Sequence, residues 1–262
     1  MKKQTLNLSI GLIAFFLLTS SSKPKIDYYD KQYVKLKDSL YVGIYEVTNK
    51  DYKSFLNDLK LKQNNEELKQ CNPDTNQWTS KIKFSYLEPF KDYYFSHPSY
   101  KDFPVVNITK EAANKYCDWL TNYYNSQPKK IFKKVLFRLP TEKEWIHFAS
   151  ALPGNSLPWY GNFAYDANLK YFANVKFENK GYGTFNYTAD NSFAPSKCGR
   201  YEMNKKGLYD IIGNVAELTE TGIIKGGSWD NLIDECGVDK NQDFQLPDPR
   251  VGFRVVMVIV EK

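Results

Sequence analysis

Metal and redox chemistry in this chain is limited first by its donors. Among 262 residues there are four cysteines, Cys71, Cys117, Cys198 and Cys236, and two histidines, His97 and His147. Two imidazoles exclude a three-histidine metal site. His147 lies in a helical pattern behind Trp145, with no second His or Cys at metal-ligand spacing, so it reads as a partly buried packing residue. His97 precedes Pro98 and reads as a loop residue. Four cysteines in this length are too few for a disulfide scaffold. They leave pairing open in an oxidising compartment, with a connectivity that sequence does not give. A cysteine used as a nucleophile would have to be exposed and have a lowered pKa.

The charge balance narrows the partners. Thirty-six Lys plus Arg stand against 30 Asp plus Glu, a net charge of +6 with no basic block. That pattern does not suit a nucleic-acid surface. With 42% hydrophobic and 16% aromatic residues, the chain can fill a packed core and is not disordered.

The first segment reads as an address. Lys2 and Lys3 precede an apolar run from Leu6 to Leu18, followed by Thr19 and Ser20 to Ser22. A basic start, a short apolar middle and small residues predict a secretory signal peptide over 1–22. The run falls short of the about 20 residues that span a bilayer. No cysteine follows it as a lipid anchor, and no second apolar span exists. The expected product is exported, without a transmembrane span once the signal is removed. It would be periplasmic, outer-membrane-associated or secreted.

These residues must be positioned by a domain whose outline is readable. Residues 23–40 form a polar leader, and a single domain is expected over 41–262. Tyr41 to Tyr45 alternates and predicts a strand. Thr48 caps the next helix, with Asp51 facing its free amides. Tyr52, Phe55, Leu56 and Leu59 are that helix's buried face. An irregular insertion is expected at about 60–100. Thr109 caps a second helix with Ala113, Tyr116, Cys117 and Leu120 inward. Thr141 and Glu144 form a capping box before Trp145, Phe148, Ala149 and Leu152. Beyond Pro153, Gly, Asn, Asp and aromatics predict long loops between short strands. Gly252 to Val260 reads as a closing strand. Helices and strands segregate along the chain, which predicts an α+β fold.

Four segments in this order resemble the formylglycine-generating enzyme, or sulfatase-modifying factor, family. They are Gly43 to Asn49 (GIYEVTN), Arg138 to Trp145 (RLPTEKEW), Gly207 to Val215 (GLYDIIGNV) with Glu217, and Lys225 to Trp229 (KGGSW) followed by Gly252-Phe253-Arg254. The resemblance implies an α+β sulfatase-modifying-factor fold, a variant of the C-type lectin fold, with little regular secondary structure in its C-terminal half. His97 to Tyr100 and Phe103 to Val106 also resemble gliding-motility and type IX secretion members from Bacteroidota. That closer likeness implies a structural part of the cell envelope, with a protein partner there.

The family's enzymes oxidise a protein cysteine with oxygen and copper(I), held by two thiolates five positions apart. Here those positions are Asn231 and Cys236. Soft sulfur pairs select Cu(I) and an amide oxygen does not replace one, so copper binding is not expected. The family's bridge between the second helix and the residue after Gly-Phe-Arg maps to Cys117 and Val255, which cannot pair. A structural calcium is implied at Asp210, Gly213, Val215 and Glu217, because hard Ca²⁺ takes oxygen ligands. A second implied calcium site maps to Asn174, Val175 and Asp190. Ala216 and Leu218 replace two tryptophans of the family pattern, so different packing is expected around the first site. The expected function is a non-catalytic, calcium-stabilised binding or structural component of the envelope. The alternative is an oxidoreductase acting on a protein cysteine through Cys236.

Overall fold

A computed structural model describes residues 26–83, 87–150, 156–159, 161, 164–179, 182 and 184–262. The expected signal peptide and Leu152 lie outside the described residues.

From Ile26 on, the segment expected as a leader belongs to the fold. Helix α1, Ile26–Asp30, leads into strand β1, Tyr33–Lys35, which pairs antiparallel with β2, Leu40–Gly43. Tyr29 is buried in the main core. Three residues are too short a strand to betray themselves by alternation, so the polar composition of this stretch misled.

Thr48 then stops the extended chain and starts α2, Asn49–Leu61. Its hydroxyl oxygen accepts from the Asp51 amide at 3.2 Å, and the hydroxyl donates to the Asp51 carboxylate at 2.6 Å. The predicted face is the buried one: Tyr52, Phe55, Leu56 and Leu59. The expected irregular insertion is instead built of short helices. These are α3, Asn65–Cys71, α4, Gln77–Ser80, and α5, Phe90–Tyr93, followed by a 3-10 turn at Pro98–Tyr100. Each is too short to show a periodic face. Their aromatics Trp78, Phe90 and Tyr94 pack in a cluster with Trp229.

Helix α6, Lys110–Asn125, starts on Thr109 as predicted. It is tied to α2 by the indole of Trp119, which donates to Asp58 at 3.1 Å. Strand β3, Lys134–Arg138, precedes α7, Glu142–Ala149. The expected capping box is present, and Arg138 strengthens it with two parallel 2.7 Å bonds to the Glu144 carboxylate. His147, expected to be partly buried, is exposed on this helix.

Beyond α7 the described residues form short strands and a 3-10 turn at Ile233–Glu235, in line with the expected loops and short strands. Strands β4, Phe177–Asn179, and β5, Thr184–Asn186, form a hairpin. Strands β6, Ala216–Leu218, β7, Ile224–Lys225, β8, Asn241–Gln242, and β9, Val251–Gly252, form a sheet in the order β8-β7-β6-β9. Strand β10, Val256–Glu261, leaves that sheet and enters the first one, whose order is β1-β2-β10-β3. The single closing strand expected over 252–260 is therefore two strands in two sheets, joined through Phe253-Arg254-Val255.

The two-residue period of the first sheet divides the core. Val135, Phe137 and Met257 face the layer of α2 and α6, whereas Leu40, Val42 and Val256 face Trp145 and Phe148 of α7. Side chains on successive strand residues point to opposite faces, so one sheet serves both clusters. Among the described residues, no helix is long and apolar enough to cross a membrane.

Burial works to raise the Glu144 carboxyl, but Arg138 and the Thr141 amide outweigh it and hold the group below the usual carboxylate range. A depressed carboxyl adds stability above its unfolded pKa and loses it as pH falls through the folded one. Glu144→Gln should therefore cost about 1–2 kcal/mol at neutral pH. The gap to wild type should close as pH falls below about 4. Urea unfolding of both proteins at several pH values measures it.

Candidate functional site

Strand β6 carries Glu217 into the interior, opposite Lys225 of β7 and Gly252 of β9. The break between β9 and β10 turns Arg254 toward it. Both side chains are essentially inaccessible, at 0% and 1% exposure for Arg254 and Glu217. The Arg254 Nε donates to both Glu217 oxygens at 3.0 Å, and Nη2 donates to one of them at 2.7 Å. The other donor directions reach the carbonyls of Gly43, Ile44 and Tyr209 at 2.8–2.9 Å. Trp145 of α7 donates its indole N–H to Glu217 at 2.8 Å. One guanidinium thus binds the end of β2, the 209 loop and β6 together. A planar five-donor fork suits such a role as a lysine would not.

Two further carboxylates lie beside this pair. Glu46 accepts from the Asn214 amide group at 2.8 Å through one oxygen, and its other oxygen has no partner. Asp210 accepts from the Gly199 backbone amide through one oxygen, and its other oxygen also has no partner. Burial pushes Glu46 well above the usual carboxylate range; the Asp210 charge adds to this and Arg254 opposes it. Burial likewise raises Asp210, to about 6, against the pull of the Gly199 amide and Arg254. Three buried carboxyl groups share one guanidinium, and the upward shifts of Glu46 and Asp210 favour their neutral forms over an uncompensated buried charge.

The structure partly separates the residues implied for calcium. Of the three carboxylates, Asp210 alone keeps a partnerless oxygen. Glu217 has both oxygens engaged by Arg254 and Trp145. Asp190 holds the Ser192 amide at 2.9 Å and the Tyr201 hydroxyl. Asn174 and Gly213, one from each implied site, are in direct contact. A Cβ on Gly213 would stand 2.3 Å from the Asn174 carbonyl oxygen, and Gly213 sits at φ +77°. That carbonyl accepts from the Asn214 amide at 2.8 Å, and the Asn174 side chain donates to Ala194 at 2.9 Å. Val175 packs in the apolar cluster around Trp145, and Val215 in the cluster around Trp229. The buried spare oxygen of Asp210 is the kind of hard donor that calcium takes. Calcium does not fit Glu217 as that residue stands.

The loop at the expected copper position is tied down by its own hydrogen bonds. Asn231 accepts from the Ser228 amide at 2.9 Å and the Ser228 hydroxyl at 2.8 Å. Cys236 is 2% exposed and lies against Gly227, where a Cβ would come within 2.2 Å of its sulfur. At φ +75° that glycine also has the backbone conformation that L side chains rarely adopt. Burial pushes the Cys236 thiol far up, with Glu235 and Asp234 adding to it. Burial also raises the thiols of Cys71, Cys117 and Cys198, and all four cysteines are free. A reactive thiolate needs the opposite shift.

Glu46 and Arg254 were legible only as motif letters. The signal that marks them is a charged residue set between large apolar neighbours, Tyr45 and Val47 for one, Phe253 and Val255 for the other. Removing one partner of a buried ion pair strands the other. Arg254→Met should cost about 3–5 kcal/mol in urea unfolding, and adding Glu217→Leu should recover part of that loss. A cost under about 1 kcal/mol would show that the pair is not the centre of the core.

Comparison with known proteins agrees with this geometry. Residues 16–259 match the family described as Sulfatase-modifying factor enzyme 1-like domain. The bovine (Bos taurus) protein named Inactive C-alpha-formylglycine-generating enzyme 2 is 29% identical over 144 residues, 51% of this chain and 40% of its own length. Its mouse (Mus musculus) counterpart is 26% identical over 221 residues, 74% of this chain and 64% of its own. The chain thus spans less than two thirds of either relative. Among solved structures, PvdO from Pseudomonas aeruginosa aligns with a TM-score of 0.53 at 16% identity, covering 84% of this chain and 80% of that one. Treponema denticola variable protein 1 aligns with a TM-score of 0.53 at 19% identity, over 86% and 90%. Both likenesses concern the fold alone. The α+β architecture and the matched family bear out the resemblance seen in the motifs: this chain belongs to the sulfatase-modifying factor enzyme 1-like domain family.

Proposed function

We propose that this protein is an exported, non-catalytic formylglycine-generating-enzyme-like protein that binds a protein partner in the cell envelope, with calcium as a stabilising ion. The loop at the copper position carries the reading. Asn231 offers no thiolate and is engaged with Ser228, while Cys236 is buried with a raised thiol. Two relatives bear the word inactive in their names. The gliding-motility likeness of His97 to Val106 supports the envelope part, and the apolar run before Thr19 supports export.

Calcium enters through Asp210, with the carbonyls of Gly213 and Val215 as further oxygen donors. A bound cation there would neutralise part of the buried negative charge. Glu217 would join only by giving up Arg254 or Trp145. Asn174, Val175 and Asp190 remain the weaker set, because Asp190 already has both oxygens bonded.

Incubation with copper(I), oxygen and a sulfatase-type cysteine peptide separates this reading from the oxidoreductase alternative. Mass spectrometry should show the peptide thiol unchanged. Thiol loss that disappears in Cys236→Ser would overturn the non-catalytic reading. For calcium, a ligand present at 100 times its dissociation constant stabilises by about 2.7 kcal/mol. The melting temperature should then fall by roughly 5 °C or more on chelation. An unchanged melting temperature removes calcium from the proposal.

A further inference from the structure

A cavity of about 280 Å³ opens between α1, the start of α2 and the Lys197-Cys198 loop. No motif accounts for it. Five tyrosines line it, Tyr28, Tyr29, Tyr33, Tyr45 and Tyr116, with the acids Glu46, Asp51 and Asp102. Three of these residues carry a buried polar atom without a partner: one oxygen each of Glu46 and Asp51, and the Tyr29 hydroxyl. The residues are 2%, 8% and 2% exposed. Buried polar atoms in folded proteins are almost always hydrogen-bonded, so three orphans around one cavity require a cause.

Their chemistry is uniform. Two are carboxyl oxygens, which accept when ionised, and the third, a phenol, can accept. An ammonium group brings three donors and no acceptor. The acids Glu46, Asp51 and Asp102 line the cavity together with the cations Lys50 and Lys197, three against two. Lys197 at the mouth is engaged with Asp102 at 3.8 Å. Lys50 lies with its Nζ 4.5 Å from the centre of the Tyr28 ring. That contact shows an ammonium resting on this aromatic wall, since tyrosine faces attract cations. A bare metal ion would make no use of five tyrosines. The cavity is also at the small end for organic ligands, about right for one alkyl chain. Cys198 borders it, but burial pushes that thiol well up and keeps it out of covalent chemistry.

We propose that this cavity binds a primary alkylammonium group, the chemistry shared by a free alkylamine and a lysine side chain. Glu46, Asp51 and the Tyr29 hydroxyl receive the charge, and the tyrosine rings hold the alkyl chain. The inference is independent of the envelope reading. Amine binding can fail while a partner is still captured, and it can succeed in a protein without one.

The test titrates the full chain, followed by NMR, with n-butylammonium, with neutral n-butanol, and with lysine blocked at both its α-amino and carboxyl groups. Saturable binding of n-butylammonium is expected, at least about tenfold tighter than n-butanol, as a charged hydrogen bond requires. Tyr29→Phe should weaken it about fivefold or more with no loss of melting temperature, because that hydroxyl supports nothing else in the fold. Asp51→Asn, isosteric beside Thr48, should weaken it further. Blocked lysine binding as tightly as n-butylammonium points to a side chain as the source; weaker binding points to a free amine; both support the site. Equal affinity for n-butanol, no saturable binding of n-butylammonium, or full affinity in Tyr29→Phe overturns the proposal.

Discussion

The contact between Arg254 and Glu217 organises more of this protein than any other. It joins segments far apart in sequence and distributed over both sheets. Strand β2 ends on its carbonyl acceptors, β6 supplies its anion, α7 reaches it through Trp145, and the 209 loop closes over it. A guanidinium taken out of water is tolerable only when its donors are matched. The surrounding chain is arranged to match them. The break between β9 and β10 follows from the same need, since a continuous strand would not present Arg254 to β6 in this way.

The pair also explains why the neighbouring carboxylates are unusual. Arg254 is satisfied by Glu217 and three carbonyls, so Glu46 and Asp210 receive only a share of its field. Their spare oxygens are buried and unbonded, and burial raises both groups. The proposed cations, a hard ion at Asp210 or an ammonium in the tyrosine-walled cavity beside Glu46, would favour the ionised forms of these groups. The fold keeps a polar interior here that simple packing would not select, because burying an unpaired charge is costly.

The loop from Gly226 to Cys236 presents a different economy. Its glycines allow backbone and sulfur to pack closely, and Asn231 folds back on Ser228. The family's fold is kept, and the Cys236 thiol is enclosed within it.

Much of the scaffold was readable from sequence because its causes are local. Thr48, Thr109 and the Thr141–Glu144 box act within three or four residues, and the apolar faces of α2 and α6 repeat at 3.6. The motifs around GIYEVTN, RLPTEKEW and GLYDIIGNV carried the family. The short strand β1, the small helices of 60–100 and the exposed His147 escaped, since a few residues hold too little periodicity to declare a face. Only the tertiary structure decided which charges meet. Glu217 looked like a calcium ligand by position, but Arg254, 37 residues later, takes its oxygens. Glu46 gained its role from Asp210 and Asn214, more than 160 residues away. Hydrogen-bond partners and burial depend on three-dimensional neighbours, and those are set by how the two sheets close around one buried guanidinium.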